Sequence, residues 1–179
     1  FDEVLVRFDS FDADSDFKRA MGPVSPTGKV PVLVDAGQVL SDSNGILMYL
    51  VQRYAPSSAW LPQDAVGQAQ LQRWFSLAAG FLAPGIAGPR FATLPGRAVN
   101  EVAQATGKRL LAFMEDELQG RAWLLGGSAP SLADVAMVSY TSQAHLAGLP
   151  LEAYPRIAAW VARMQALPGY PVLADQLPT

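Results

Sequence analysis

The sequence predicts an α/β segment followed by an all-helical one, and three observations carry that prediction. Strand patterns occur only near the start of the chain: an alternating run at 3–8 and a pair of runs at 30–34 and 38–40. Residues 55–64, APSSAWLPQD, combine two prolines with polar residues and read as a linker. Beyond them, apolar residues recur at helical spacing and no comparable strand pattern returns. The expected domains are therefore 1–56 and 65–179.

EVLVRF at 3–8 alternates apolar and polar side chains as a half-buried strand does, and it leads into an Asp/Ser-rich loop, FDSFDADSD. A short helix is expected over 17–21. Gly22, Pro23 and Pro26 then enforce a loop. VPVLV at 30–34 reads as a strand paired with QVL at 38–40, with Asp35, Ala36 and Gly37 turning between them into a β-hairpin. Ser41, Asp42 and Ser43 supply helix-start chemistry, and Ile46, Leu47, Leu50, Val51 and Tyr54 recur at helical spacing until Pro56.

In the second part, Leu71, Trp74, Phe75, Ala78 and Leu82 share one face of a helix that Pro84 and Gly85 are expected to end or kink. Val99, Val102, Thr106, Leu110, Phe113 and Met114 mark a second long helix, with Glu115, Asp116 and Glu117 at an exposed end. LADVAMVSYTSQAHLAGL, from 132, is apolar nearly all round and predicts a central, buried helix. Ile157, Trp160, Val161, Met164 and Leu167 form an amphipathic helix with Pro155 near its first turn. No internal repeat is present.

Composition narrows the function classes. The chain has 179 residues, half of them hydrophobic, enough for a true core. A net charge of −3 offers no basic excess for phosphates, so nucleic acid is not the expected partner. There is no cysteine, which excludes a disulfide framework, a thiolate metal site or a cysteine nucleophile within these residues and fits a cytosolic protein. His145 is the single histidine, so no metal site is expected. The longest apolar run, GILMYLV at 45–51, falls short of the roughly 20 residues that span a bilayer, and a soluble protein with no membrane partner is expected. No G-x-S-x-G elbow accompanies His145, and neither phosphate-loop nor dinucleotide-binding fingerprints occur.

Two helix starts stand out. Ser131 with Asp134 three residues on, after Pro130, has the spacing of a capping box and is expected to nucleate the buried helix as a structural cap. Asp42-Ser43 follows the hairpin directly. Unpaired N–H groups there, with the Ser43 hydroxyl, suit a carboxylate, and Asp42 suits an amino group, so the pair is either a bare N-cap or a seat for an α-amino-acid zwitterion. Pro31 lacks an N–H and is tolerated on an edge strand or beside a bulge, where the Val30-Pro31 bond can be cis. Val30 would then face outward with its N–H and C=O open to an extended peptide.

GKVPVL followed by SDSNGI, with PSLADVAM further on, resembles the cytosolic glutathione transferases, and the resemblance runs over essentially the whole chain. It implies a thioredoxin-like N-terminal domain, incomplete here, followed by an all-α helical-bundle domain. It also implies that Pro31 is the cis proline, that the Val30 backbone binds the cysteinyl part of glutathione, that Ser43 and Asp42 hold the γ-glutamyl end, and that Lys29 lies near the glycyl carboxylate. The implied reaction conjugates glutathione, as co-substrate, to a small hydrophobic electrophile. Phe75, Phe81, Arg90 and Phe91 are the candidates for the electrophile's wall between the domains. Homodimerisation is implied too, with apolar residues on the helices starting at 43 and about 65 available for it.

Family members carry a strand and helix ahead of the segment matching EVLVRF, and the Tyr, Ser or Cys that activates the thiol sits at the end of that first strand. No counterpart is identified here, so the catalytic residue is unknown. The chain opens on Phe1, and the expectation is an upstream segment of roughly 25 residues, the length of a short strand plus a crossover helix. The same binding residues would also serve a glutathione-dependent isomerase, dehalogenase or disulfide reductase, or a binding module of this fold without catalysis.

Overall fold

Leu33, Val34 and Asp35 face Leu40, Val39 and Gln38 across an antiparallel ladder, β1 (Leu33–Asp35) against β2 (Gln38–Leu40). Ala36 and Gly37, both at positive φ, turn the chain between them, as a tight two-residue hairpin requires. These coordinates are a computed structural model, and they describe residue 2 and residues 16–25, 28–90 and 100–171. The strand expected at 3–8, most of the loop after it, Phe91 and Val99 lie outside the described residues. The chain divides into two compact units, Phe1–Pro56 and Ser57–Thr179.

In the first unit, α1 (Asp16–Met21) ends where Gly22-Pro23 denies the helix a further turn. The ladder is shorter than the strand expected at 30–34. It begins at Leu33 because Pro31 has no N–H to donate, so the paired segment starts beyond it. The Val30-Pro31 peptide bond is cis. α2 (Ser43–Tyr54) turns Ile46 and Val51 inward. The Ala55 N–H closes its last turn on the Val51 carbonyl at 2.9 Å, ahead of Pro56.

In the second unit, α3 (Ala65–Leu77) is capped by Asp64, whose Oδ1 accepts from the Gly67 N–H at 2.9 Å. The linker belongs partly to this unit, for Leu61 is buried and the Trp60 carbonyl accepts from the Leu132 N–H at 2.9 Å. Pro84 and Gly85 do not end the helix. α3 widens into a π-helical stretch, Ala78–Ala87, that carries Pro84 inside it and runs on into α4 (Gly88–Arg90). Widened turns relieve the clash between a proline ring and the carbonyl four residues back.

α5 (Glu101–Glu117) packs on the π-helical stretch with Gly107 against Gly85. Val102, placed on the apolar face by its spacing, is instead 78% exposed, because the buried face of α5 runs through Gly107, Leu110, Leu111 and Met114. Two of the acidic residues expected at an exposed end are engaged. Glu115 accepts from the Arg156 and Ile157 N–H groups at 3.0 Å each, and Glu117 pairs with Arg73 at 2.8 Å. The helix expected from 132 stops earlier than its apolar run: α6 (Leu132–Thr141) gives way to a short 3₁₀ turn, Ala144–Ala147, closed by Gly148 at φ 72. α7 (Pro155–Gln165) opens on its proline and buries Ile157, Trp160, Val161 and Met164.

Candidate functional site

The hairpin register brings the two segments singled out in the sequence to the same end of the small sheet. Leu33 pairs with Leu40, so the chain enters three residues after Val30 and leaves three residues before Ser43. Val30 and Ser43 therefore each stand three residues from the same cross-strand pair, on the two chains that run from the open end of the hairpin.

Val30 is 60% exposed. Among the described residues neither its N–H nor its C=O has an internal partner. The residue before it is the opposite case. Ser25, at 2% exposure, donates its hydroxyl to the Lys29 carbonyl at 2.9 Å and accepts on the same oxygen from the Lys29 N–H at 3.0 Å. The first backbone open to a ligand on this side is thus that of Val30, with the exposed Lys29 side chain beside it.

On the other side, Asp42 is the N-cap of α2, and its Oδ1 accepts from the Gly45 N–H at 2.7 Å. Ser43 is the first helical residue and lies exposed. The cap uses one carboxylate oxygen of Asp42, and the other keeps lone pairs for an ammonium group. Among the described residues nothing accepts from the Ser43 N–H. An anion there meets backbone N–H, hydroxyl and the positive end of the helix dipole together.

At the far end of the hairpin, Asp35 Oδ2 accepts from the Tyr49 hydroxyl at 2.7 Å and from the Tyr54 hydroxyl. Tyr54 first and then Tyr49 hold the Asp35 carboxyl below its ordinary value, and the same carboxylate raises both phenols above theirs. Neither Ser25 nor Asp35 was marked by the sequence pattern. Ser25 sits in a Pro/Gly-rich loop and Asp35 at the strand end beside the turn, where both residue types are commonplace.

Three of the candidates for an electrophile's wall lie on successive elements, Phe75 on α3, Phe81 in the π-helical stretch and Arg90 on α4. Phe75 is a core side chain beside Trp74. Phe81 is half-buried in the π-helical stretch under the Arg109 guanidinium, 5.8 Å from the ring centroid, and Arg90 lies over the Tyr140 ring at 5.8 Å. Phe91 falls outside the described residues. His145 is exposed. Among the described residues no group of three or more metal-ligating side chains gathers, and no helix is long and apolar enough to cross a membrane.

Comparison with known proteins gives matches along most of the chain. The family described as glutathione S-transferase, N-terminal domain, matches residues 5–58, and that described as glutathione S-transferase, C-terminal domain, matches residues 68–163. Glutathione S-transferase theta-1 of Mus musculus is 30% identical over 84% of this chain and 67% of its own length. Glutathione S-transferase T3 of Arabidopsis thaliana is 33% identical over 80% of this chain. The chain spans 26% of the length of that plant protein and 64% of human glutathione S-transferase theta-2. Among solved structures, a glutathione S-transferase from Xanthobacter autotrophicus superposes with a TM-score of 0.78 at 31% identity, covering 89% of this chain and 79% of that one. One from Pseudomonas fluorescens also gives 0.78 at 31% identity, covering 87% and 79%.

Proposed function

Because the chain belongs to the glutathione S-transferase family, we propose that it binds glutathione at the open end of the β1–β2 hairpin and conjugates the sulfur to a small hydrophobic electrophile. The observation that supports the reading is that an open Val30 backbone and the start of α2 at Asp42-Ser43 flank the same end of the hairpin.

In this reading the cysteinyl residue of glutathione pairs with the Val30 N–H and C=O as an added strand. The γ-glutamyl carboxylate takes the Ser43 N–H and hydroxyl, its ammonium group takes the free oxygen of Asp42, and the glycyl carboxylate takes the Lys29 ammonium. Pro31 stands next to Val30 and offers no competing donor. Phe75, Phe81, Arg90 and Phe91 are the proposed contacts for the electrophile.

The thiol loses its proton to become the nucleophile, a C–S bond forms, and the leaving group departs with the electron pair of the broken bond. The thiol-activating residue is not assigned. We place the protein in the cytoplasm as a homodimer, with no nucleic-acid or membrane partner, and the exposed Tyr54 of α2 and Val66 of α3 supply apolar surface for that contact.

Calorimetric titration of glutathione tests the site. The wild-type chain binds, and Ser43→Ala weakens binding by about 10-fold, the loss expected for a hydrogen bond to a charged group. A wild type silent at millimolar glutathione overturns the proposal, and a Ser43→Ala variant as tight as wild type removes Ser43 from it.

A further inference from the structure

Ser25 uses every hydrogen-bonding group it has. Its N–H donates to the Met21 carbonyl at the end of α1 at 2.7 Å, and its carbonyl accepts from the Gly28 N–H at 2.9 Å. Its hydroxyl holds both backbone groups of Lys29, as donor at 2.9 Å and acceptor at 3.0 Å. Met21 is itself buried. A continuous chain of bonds thus runs from the end of α1 through Ser25 to Lys29, and Lys29 is joined by one peptide bond to Val30.

We propose that Ser25 is a positioning residue for glutathione: by occupying the Lys29 N–H and C=O it fixes the peptide plane that aims the Val30 backbone at the ligand. This role rests on the preceding reading of the site. A ligand that pairs with main chain needs donor and acceptor set before it arrives, and a loop free to rotate about Lys29 would have to be ordered at the moment of binding. The reciprocal bond also sets the register of pairing. With the Lys29 groups occupied, a peptide cannot slip one residue toward the amino end, so its pairing stops at Val30 on that side.

The test compares Ser25→Ala and Ser25→Thr with Asp35→Ala, which loosens the same unit at the turn end of the hairpin. Glutathione affinity is read by calorimetry and Tm by thermal denaturation. Ser25→Ala is expected to weaken glutathione by about 5- to 10-fold, the effect of losing one hydrogen bond of ordinary strength. Ser25→Thr, which keeps the hydroxyl, stays close to wild type, and Asp35→Ala lowers Tm without changing affinity. If Ser25→Ala binds as wild type does, or if Asp35→Ala loses affinity to the same degree for the same loss of Tm, Ser25 is only structural and the proposal falls. A wild type that binds no glutathione overturns the site, and this role with it.

Amide hydrogen exchange on the wild type needs no variant to fold. The Lys29 amide should exchange slowly without ligand, and the Val30 amide should exchange fast until glutathione is added. Equal, fast exchange at both positions in the free protein overturns the proposal.

Discussion

The indole N–H of Trp160 donates to Asp134 Oδ1 at 2.8 Å, joining α7 to α6 through a carboxylate with no exposed surface. The same oxygen accepts from the Leu124 N–H at 2.9 Å, while Oδ2 accepts from the Ser131 N–H and hydroxyl at 2.8 and 2.9 Å. Ser131 in turn accepts from the Ala133 N–H at 3.3 Å, completing a capping box at the start of α6. One side chain thereby satisfies donors from the segment before α6, from the helix start itself and from α7.

Replacing Asp134 by alanine strands four buried donors at once. A loss of about 3–5 kcal/mol is expected, because each buried donor left without an acceptor costs about 1–3 kcal/mol and partial relaxation recovers some of the sum. Trp160→Phe removes a single donor and keeps most of the apolar bulk, so it should cost about 1–2 kcal/mol. Urea denaturation monitored by helical circular dichroism measures both, and near-equal losses would show that the carboxylate is not the hub.

Gly107→Ala is expected to destabilise the helical unit by about 1–3 kcal/mol, the usual cost of overpacking. A Cβ at Gly107 would stand 2.5 Å from Leu149 Cδ1 and 2.6 Å from the Gly85 carbonyl oxygen. The leucine can rotate away but the backbone cannot, so α5 must lift from the π-helical stretch. An unchanged denaturation midpoint would contradict that close approach.

Ala36→Gly should stabilise the protein. Ala36 holds φ 47 in the hairpin turn, a left-handed conformation that costs a side-chain-bearing residue about 1–2 kcal/mol. Glycine adopts it freely but is more disordered when unfolded, so the net gain should be smaller, about 0.5–1 kcal/mol. The comparison of denaturation midpoints needs no ligand.

The Asp35 clamp makes a prediction about pH. Its folded value lies below the ordinary 3.8, so its contribution is complete above that value and fades as pH falls through the lowered one. Tyr54 and Tyr49 are raised above 10.0, so their contribution is complete below that value and fades as pH rises through the raised ones. The stability gap between wild type and the Tyr49→Phe/Tyr54→Phe double variant should therefore be flat across neutral pH and shrink at both acidic and alkaline extremes. A gap that peaks at either extreme would assign the clamp to other groups.

Much of this architecture is legible in short windows. Val34 and Val39 alternate with Leu33 and Leu40, and Ala36-Gly37 sits where a turn must be, so the hairpin can be read directly. Asp64 and Asn100 each stand three residues before the N–H they cap, although neither drew notice in the sequence. The limits of the elements were harder to read. Pro31 marks where the ladder cannot start, Pro84 does not mark where a helix stops, and the apolar run after Leu132 outlasts its helix, passing into a 3₁₀ turn that Gly148 closes.

By itself the sequence determined the order of elements, the helix-start chemistry at Asp42-Ser43 and Ser131, and the Val30-Pro31 corner, because each depends on groups a few residues apart. Only the tertiary structure decided that Ser25 holds Lys29, that Asp35 ties the hairpin to α2, that Glu115 caps α7 and that Trp160 reaches Asp134. All four are polar groups whose partners become evident only once packing or loop closure has brought them within 3 Å. Polar groups withdrawn from water must find partners, but which partner each one finds depends on how the chain is packed.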